Sequence, residues 1–229
     1  MNIFVIIIWI LVTLFVSSFS AVLGKKYGVE YPIAIMAVLV VTANVLANKI
    51  VAFGPFNVPA GIVVYSTTFL LTDILCEKWG KSYAKKAVWA GFYGNLIFII
   101  SLYIAMYWQA APFAQEIGGI FTQALKLSPR IALAGLIAYV ISQNHDVWSF
   151  LFWKRKTHGK HLWLRNNLST IVSQFIDSLI FVTIAFYGIY PVWQMIFGLW
   201  VVKIIIAILD TPFIYLAVNL IDRINPSRK

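Results

Sequence analysis

The chain has 229 residues, of which 61% are hydrophobic and only 11% charged, and its mean hydropathy is +0.85. A soluble domain carries about 25% charged residues, so a water-soluble globular fold is excluded, and the net charge of +10 does not point to nucleic acid. Cys76 is the single cysteine, which rules out an intrachain disulfide.

A membrane span needs about 20 mostly apolar residues, and seven segments meet that requirement. The first, about 2–23 in "MNIFVIIIWILVTLFVSSFSAVLG", has no Lys or Arg before it and outruns a typical signal core, so it reads as a retained span. The others cover about 31–52, 58–76, 86–108, 130–151, 168–188 and 193–218. Between the second and third, "GPFNVPAG" predicts a tight return near the outer face. The connections near 109–129 and 152–167 are too short to fold independently. The expected fold is therefore all-α, a polytopic membrane helix bundle forming one integral membrane domain over 1–229.

Lys and Arg stay on the cytoplasmic side of a membrane protein. The segments after the first, third and fifth spans, together with the tail, hold 14 of them, against three (Lys49, Lys126 and Arg130) on the other side. This predicts an external amino terminus, a cytoplasmic carboxyl terminus and a multi-pass cell-membrane location.

Ionisable groups inside a span cost about 2.5–3.5 kcal/mol each on insertion scales and face protein or a cavity. Here they are Asp73, Glu77, Asp177, Lys203 and Asp210, with Asp146 near a span end, and the amides Asn44, Asn48, Gln143 and Gln174 join them. Asn44 and Asn48 are four apart, as are Asp73 and Glu77, and Gln174 and Asp177 are three apart, so each pair shares a helix face. A rise of about 1.5 Å per residue puts Gln174 roughly 10 Å and Asp177 roughly 15 Å from the cytoplasmic boundary, with Lys203 roughly 15 Å from the opposite one. Asp73, Gln143, Gln174, Asp177 and Lys203 are thus expected to converge on one layer, with Asn44 and Asn48 further out. Such a layer suits a cavity for a polar solute. A carboxylate there accepts two hydrogen bonds from a guanine-like edge while amides read its carbonyl, and Asp73 leads Asp177 for that role.

Other chemistries fit less well. The aspartates lack the Gly-x-Gly-Asp turn of intramembrane aspartyl enzymes, and His158-x-x-His161 sits in the basic segment "KRKTHGKH", where solvated histidines are expected rather than metal ligands. No cofactor is expected.

The segments "ANVLANKIV", "PAGIVVYSTTFLLTDILCEKWGKSYAKKAVWAGF", "IAYVISQNHDVWSFLFWK" and "GKHLWLRNNLSTIVSQFIDSLIFVTIAFYG" resemble the queuosine precursor transporter family, grouped among vitamin uptake transporters. The resemblance covers about 31–220 and implies a six-helix transporter core there, with the first span an addition. It implies import of a small-molecule 7-deazaguanine (7-cyano-7-deazaguanine, 7-aminomethyl-7-deazaguanine or queuine) for salvage into tRNA modification, with no direct nucleic-acid binding. By matching positions it marks Asn44, Asn48, Asp73, Glu77, Asn167, Gln174 and Asp177 as candidate substrate contacts, to which depth adds Gln143 and Lys203. Its size and helix plan are also similar to the substrate-binding subunits of energy-coupling-factor importers. Beyond substrate and lipid bilayer, a homo-oligomer is compatible with the chain.

The charge asymmetry has a direct outcome. A reporter fused after Lys229 should behave as cytoplasmic and a tag before Met1 should be reachable from outside. An external carboxyl terminus would rule out the seven-span reading.

Overall fold

In a computed structural model, residues 3–224 are described, and within them seven long helices, one short helix and one β-hairpin make up the fold. Arg228 and Lys229 of the basic tally lie outside the described residues. In chain order the elements are α1 (Ile3–Tyr27), α2 (Glu30–Leu46), β1 (Ile50–Phe53), β2 (Phe56–Pro59), α3 (Ile62–Lys78) and α4 (Lys81–Tyr107). After a single 3-10 turn at Pro112–Ala114 come α5 (Gln115–Leu125), α6 (Ser128–Lys156), α7 (Leu162–Phe186) and α8 (Val192–Ile224). The fold is the expected all-α membrane bundle. The stretches carrying α1, α4, α6, α7 and α8 are long and apolar enough to cross a bilayer.

The second and third spans depart from the expected 31–52 and 58–76. α2 stops at Leu46, and β1 and β2 pair antiparallel with Ile50 opposite Pro59 and Phe53 opposite Phe56. The turn between them is Gly54-Pro55. Gly54 has φ +59° and Pro55 a ring-fixed negative φ, the signs of a type II′ hairpin turn. The two 17-residue helices reach only about 25 Å at 1.5 Å per residue, short of the roughly 30 Å hydrocarbon core. The hairpin continues both. Non-helical backbone is tolerated at membrane depth only where it is buried in protein, and the hairpin is graded accordingly: Val58 and Pro59 at its base are buried, while Ala52, Gly54, Pro55 and Asn57 towards its tip are exposed.

α3 is the central helix, packed by α1, α2, α4, α6 and α8. Every residue from Ile62 to Cys76 except Tyr65 is buried. That explains how this helix carries Ser66, Thr67, Thr68, Thr72 and Asp73: none of them meets lipid. The hydroxyls of Thr67 and Thr68 donate to the carbonyls of Val64 and Tyr65 within the helix, the usual way for a buried hydroxyl to satisfy itself locally. At the hairpin end, Arg130 of α6 donates through Nε to Ile184 O at 2.7 Å and through Nη2 to Tyr187 O at 2.8 Å. A cation there complements the partial negative charge at the carboxyl end of α7.

Close approach of α2 and α3 depends on Gly61. A Cβ at this position would strike the Ala43 carbonyl oxygen. Overpacking a tight contact costs about 1–3 kcal/mol, so Gly61→Ala should lower the melting temperature of the purified protein and its folded yield by fluorescence-detected size exclusion. An unchanged melt would mean that α2 and α3 separate freely.

Candidate functional site

The polar residues are organised around Asp177 of α7. Its Oδ1 accepts from the Tyr65 hydroxyl of α3 at 2.5 Å and from the Ser142 hydroxyl of α6 at 3.0 Å, while Oδ2 pairs with Lys203 Nζ of α8. Lys203 also lies 5.1 Å from the centre of the Tyr65 ring, in cation–π contact. Four helices therefore converge on one carboxylate. Lys203 and Asp177 are almost wholly buried, and such a pair survives desolvation only when further hydrogen bonds complete it. Tyr65 and Ser142 supply them.

This cluster forms part of the wall of a cavity with about 410 Å³ of empty space, counting its open mouth. Ala43, Asn44 and Ala47 of α2 and Pro59 and Gly61 of the hairpin connection line its upper wall, with Ile62 and Tyr65 of α3 beside them. Gly135 of α6, Phe181 of α7 and Leu199 of α8 complete it around Asp177 and Lys203. Gly135 lets Asn44 lie close: a Cβ there would come to 2.7 Å from Asn44 Oδ1 and push that amide aside. The Asn44 amide nitrogen donates within its own helix to Val40 O at 3.0 Å.

Hydrogen-bonding capacity remains unused in the cavity. A carboxylate offers about four lone-pair sites, and three protein donors occupy three of those on Asp177. An ammonium has three N–H donors, and Asp177 is the hydrogen-bond acceptor found for Lys203. The wall can thus both accept from and donate to a polar solute, between apolar surfaces of Ile62, Phe181 and Leu199.

The remaining polar residues do not form a single layer, which corrects the expectation from depth. Gln143 clasps α6 to α3: Thr72 Oγ1 donates to its Oε1 at 2.8 Å and its Nε2 donates to Thr68 Oγ1 at 2.8 Å. One turn further towards the basic end, Asp73 of α3 faces Asp146 of α6. Both are fully buried, and none of their four carboxyl oxygens has a hydrogen-bond donor among the described residues. Asn166 Nδ2 donates to Asp210 Oδ1 at 2.8 Å beside them. At the rim, Glu77 Oε2 meets Lys154 Nζ at 2.8 Å and the buried Arg165 Nη1 at 3.1 Å.

Of the nine predicted site residues, the structure brings Asn44, Asp177 and Lys203 to the cavity. Asn48 falls beyond the end of α2, not on a shared helical face with Asn44, and its amide donates to the carbonyls of Asn44 and Val45. Asn167 donates to Trp163 O and to Thr211 Oγ1 of α8, tying two helices together. Gln174 is fully buried, and neither amide atom has a partner among the described residues. Asp73, Glu77 and Gln143 line the α3 seam below the cavity. Tyr65 and Ser142 escaped the sequence reading. Ser142 precedes Gln143 and lies four residues before Asp146, a spacing that marks a polar face on α6. Tyr65 gave no signal beyond being one of 11 tyrosines.

A family profile described as "Putative vitamin uptake transporter" matches residues 59–217. The chain is similar to a Bacillus subtilis (strain 168) protein named "Probable queuosine precursor transporter", at 34% identity over 223 residues, 95% of this chain and 93% of that one. It is also similar to the "Queuosine precursor transporter" of Escherichia coli (strain K12), at 26% identity over 167 residues and 71% of each chain. The first of these alignments leaves too few residues outside it to omit the whole of α1, so that helix is at least partly shared with the Bacillus protein. No solved structure matches.

Breaking a buried ion pair by removing one partner costs about 3–5 kcal/mol, whereas replacing both with apolar residues is often neutral. Lys203→Met should therefore lower folded yield and melting temperature sharply, and Lys203→Met with Asp177→Leu should recover most of the loss. Additive losses in the double-mutant cycle would show that the two residues are energetically independent.

Proposed function

This chain is a transporter of the vitamin uptake transporter family, and from that membership we propose that it imports queuosine precursors. The substrates are 7-deazaguanines, namely 7-cyano-7-deazaguanine, 7-aminomethyl-7-deazaguanine or queuine, taken up for salvage into tRNA modification. Similarity to two queuosine precursor transporters supports the reading. The observation that carries it is the cavity walled by Asn44, Asp177 and Lys203. A guanine-like edge presents adjacent N–H donors beside a carbonyl acceptor. The open lone pair of Asp177 accepts from that edge, the unused N–H donors of Lys203 reach the carbonyl, and Asn44 Oδ1 takes a further donor. The base-reading role thus moves from Asp73 to Asp177, because Asp73 lies below the cavity.

The cavity sits at the hairpin end of the bundle. With the amino terminus outside, as the basic residues favour, that end faces the exterior and first meets incoming substrate. Lys25 and Lys26 at the end of α1, Lys78 at the end of α3, Lys154–Lys156 at the end of α6 and Arg223 at the end of α8 then all face the cytoplasm.

Uptake of labelled 7-cyano-7-deazaguanine into cells unable to make it should require this chain. An analogue lacking the exocyclic amine should compete far more weakly, because a site built on a hydrogen bond rejects a ligand without it. Asn44→Ala should lower uptake about tenfold, the worth of one hydrogen bond of about 1.4 kcal/mol. Its amide donates within α2, to Val40 O, so folded yield should hold. Equal uptake with and without the chain would refute the assignment.

A further inference from the structure

The polar seam between α3 and α6 continues below the cavity to a pair of carboxyls that substrate recognition does not use. We propose that Asp73 and Asp146 together form a proton-binding site, holding one shared proton, through which import is driven. The proton is an added cosubstrate, and the coupling rests on the transport reading above.

The argument begins with charge. Two carboxylates facing one another, fully buried and with no hydrogen-bond donor to either among the described residues, repel one another, and the nearest cation, Arg165, is shared with Glu77. Like-charged groups sharing a site cannot both stay ionised. A single proton removes the conflict: one carboxyl becomes a donor and the other its acceptor, so each satisfies the other. The nearby hydroxyls do not fill that role. Ser169 and Ser173 stand beside Asp146, but their hydroxyls hydrogen-bond to Asn166 O and Ser169 O, and neither completes a hydrogen bond to an Asp146 oxygen.

The surrounding charges agree. Asp210 of α8 accepts from Asn166 and adds a third carboxyl, and Glu77 on α3 adds a fourth. Against these stand Arg165 of α7 and Lys154 of α6, both engaged with Glu77. His145 of α6 is turned to Ser173, and the Cys76 thiol lies on α3 beside Asp73. The charged residues of α1, α2 and α4 (Lys25, Lys26, Glu30, Lys81, Lys85 and Lys86) are exposed. Four carboxyls against two cations leave negative charge that a proton reduces, whereas Asp177 and Lys203 balance each other above.

Position supplies the coupling. Ser142 binds Asp177 and lies one helical turn from Asp146, while Gln143 grips Thr72, the neighbour of Asp73. Substrate binding at Asp177 therefore acts on the same two helices that hold the proton. On the other side, Glu77 lies one turn from Asp73 and is partly exposed, as is Lys154, which gives the proton a way out at the basic end. In the step, a proton from the hairpin side joins one carboxylate of the pair, and the same proton leaves to water when the basic end opens to solvent, where hydration lets both carboxylates stay ionised.

Two measurements test this. Infrared spectra of the purified protein in lipid should show one protonated-carboxyl C=O band that Asp73→Asn with Asp146→Asn removes; identical spectra would overturn the proton site, and this arm needs no substrate. In proteoliposomes clamped at zero membrane potential, the wild-type protein should accumulate uncharged 7-cyano-7-deazaguanine by up to about tenfold per pH unit, acid on the hairpin side, for one proton per molecule. The double variant should keep counterflow of the same compound and lose gradient-driven accumulation. Wild-type counterflow without accumulation would overturn the coupling. Absence of counterflow in the wild type would instead refute the substrate reading, leaving the infrared result to decide the proton site.

Discussion

Burying Lys203 and Asp177 in the middle of a membrane bundle is the constraint to which the rest of the structure answers. Neither charge is tolerable alone in that environment, and the pair holds only because Tyr65 and Ser142 complete the carboxylate's hydrogen bonds. Those four side chains come from α3, α6, α7 and α8. Their meeting sets how the helices lie around one another and leaves a cavity on the hairpin side. Gly61 and Gly135 follow from it, since the neighbouring backbone and Asn44 must come close for the wall to form.

Polar side chains in this bundle fall into two kinds. Gln143, Asn166, Asn167 and the α3 threonines are paired with protein groups and act as ties between helices. Asp73, Asp146 and Gln174 are equally buried but lack such partners. An unpaired buried polar group costs about 1–3 kcal/mol, more when charged. A protein that keeps several of them along one seam gives up stability where transport requires a changing set of contacts.

Much of this was legible in the sequence. Seven apolar runs became seven long helices, and the equal depths of Asp177 and Lys203 anticipated their pairing. The single polar layer was not legible, because depth from a span boundary fixes height but not azimuth. Gln143 and Asp73 point into the α3–α6 seam, not the cavity, and only packing decides that. The span boundaries around Asn48 failed for a related reason. The return at "GPFNVPAG" was legible, but its flanks, 48–52 and 58–61, are apolar enough to pass for the ends of membrane helices, and a four-residue strand is too short for its alternation to outweigh hydropathy. Tyr65 was hidden because an aromatic residue within a span is usually a packing residue.

The hairpin has a mechanical consequence. Four residue pairs and a two-residue turn tie the ends of α2 and α3 together, so neither helix can swing outward without the other. The wall they give the cavity, from Ala43 to Tyr65, therefore moves as one piece. Across the mouth, Leu199 stands on α8, which also packs on the hairpin through Phe197 against Phe56. A hinge anchored on three helices at once opens as a unit or not at all, so the mouth has no single helix that can peel away from it.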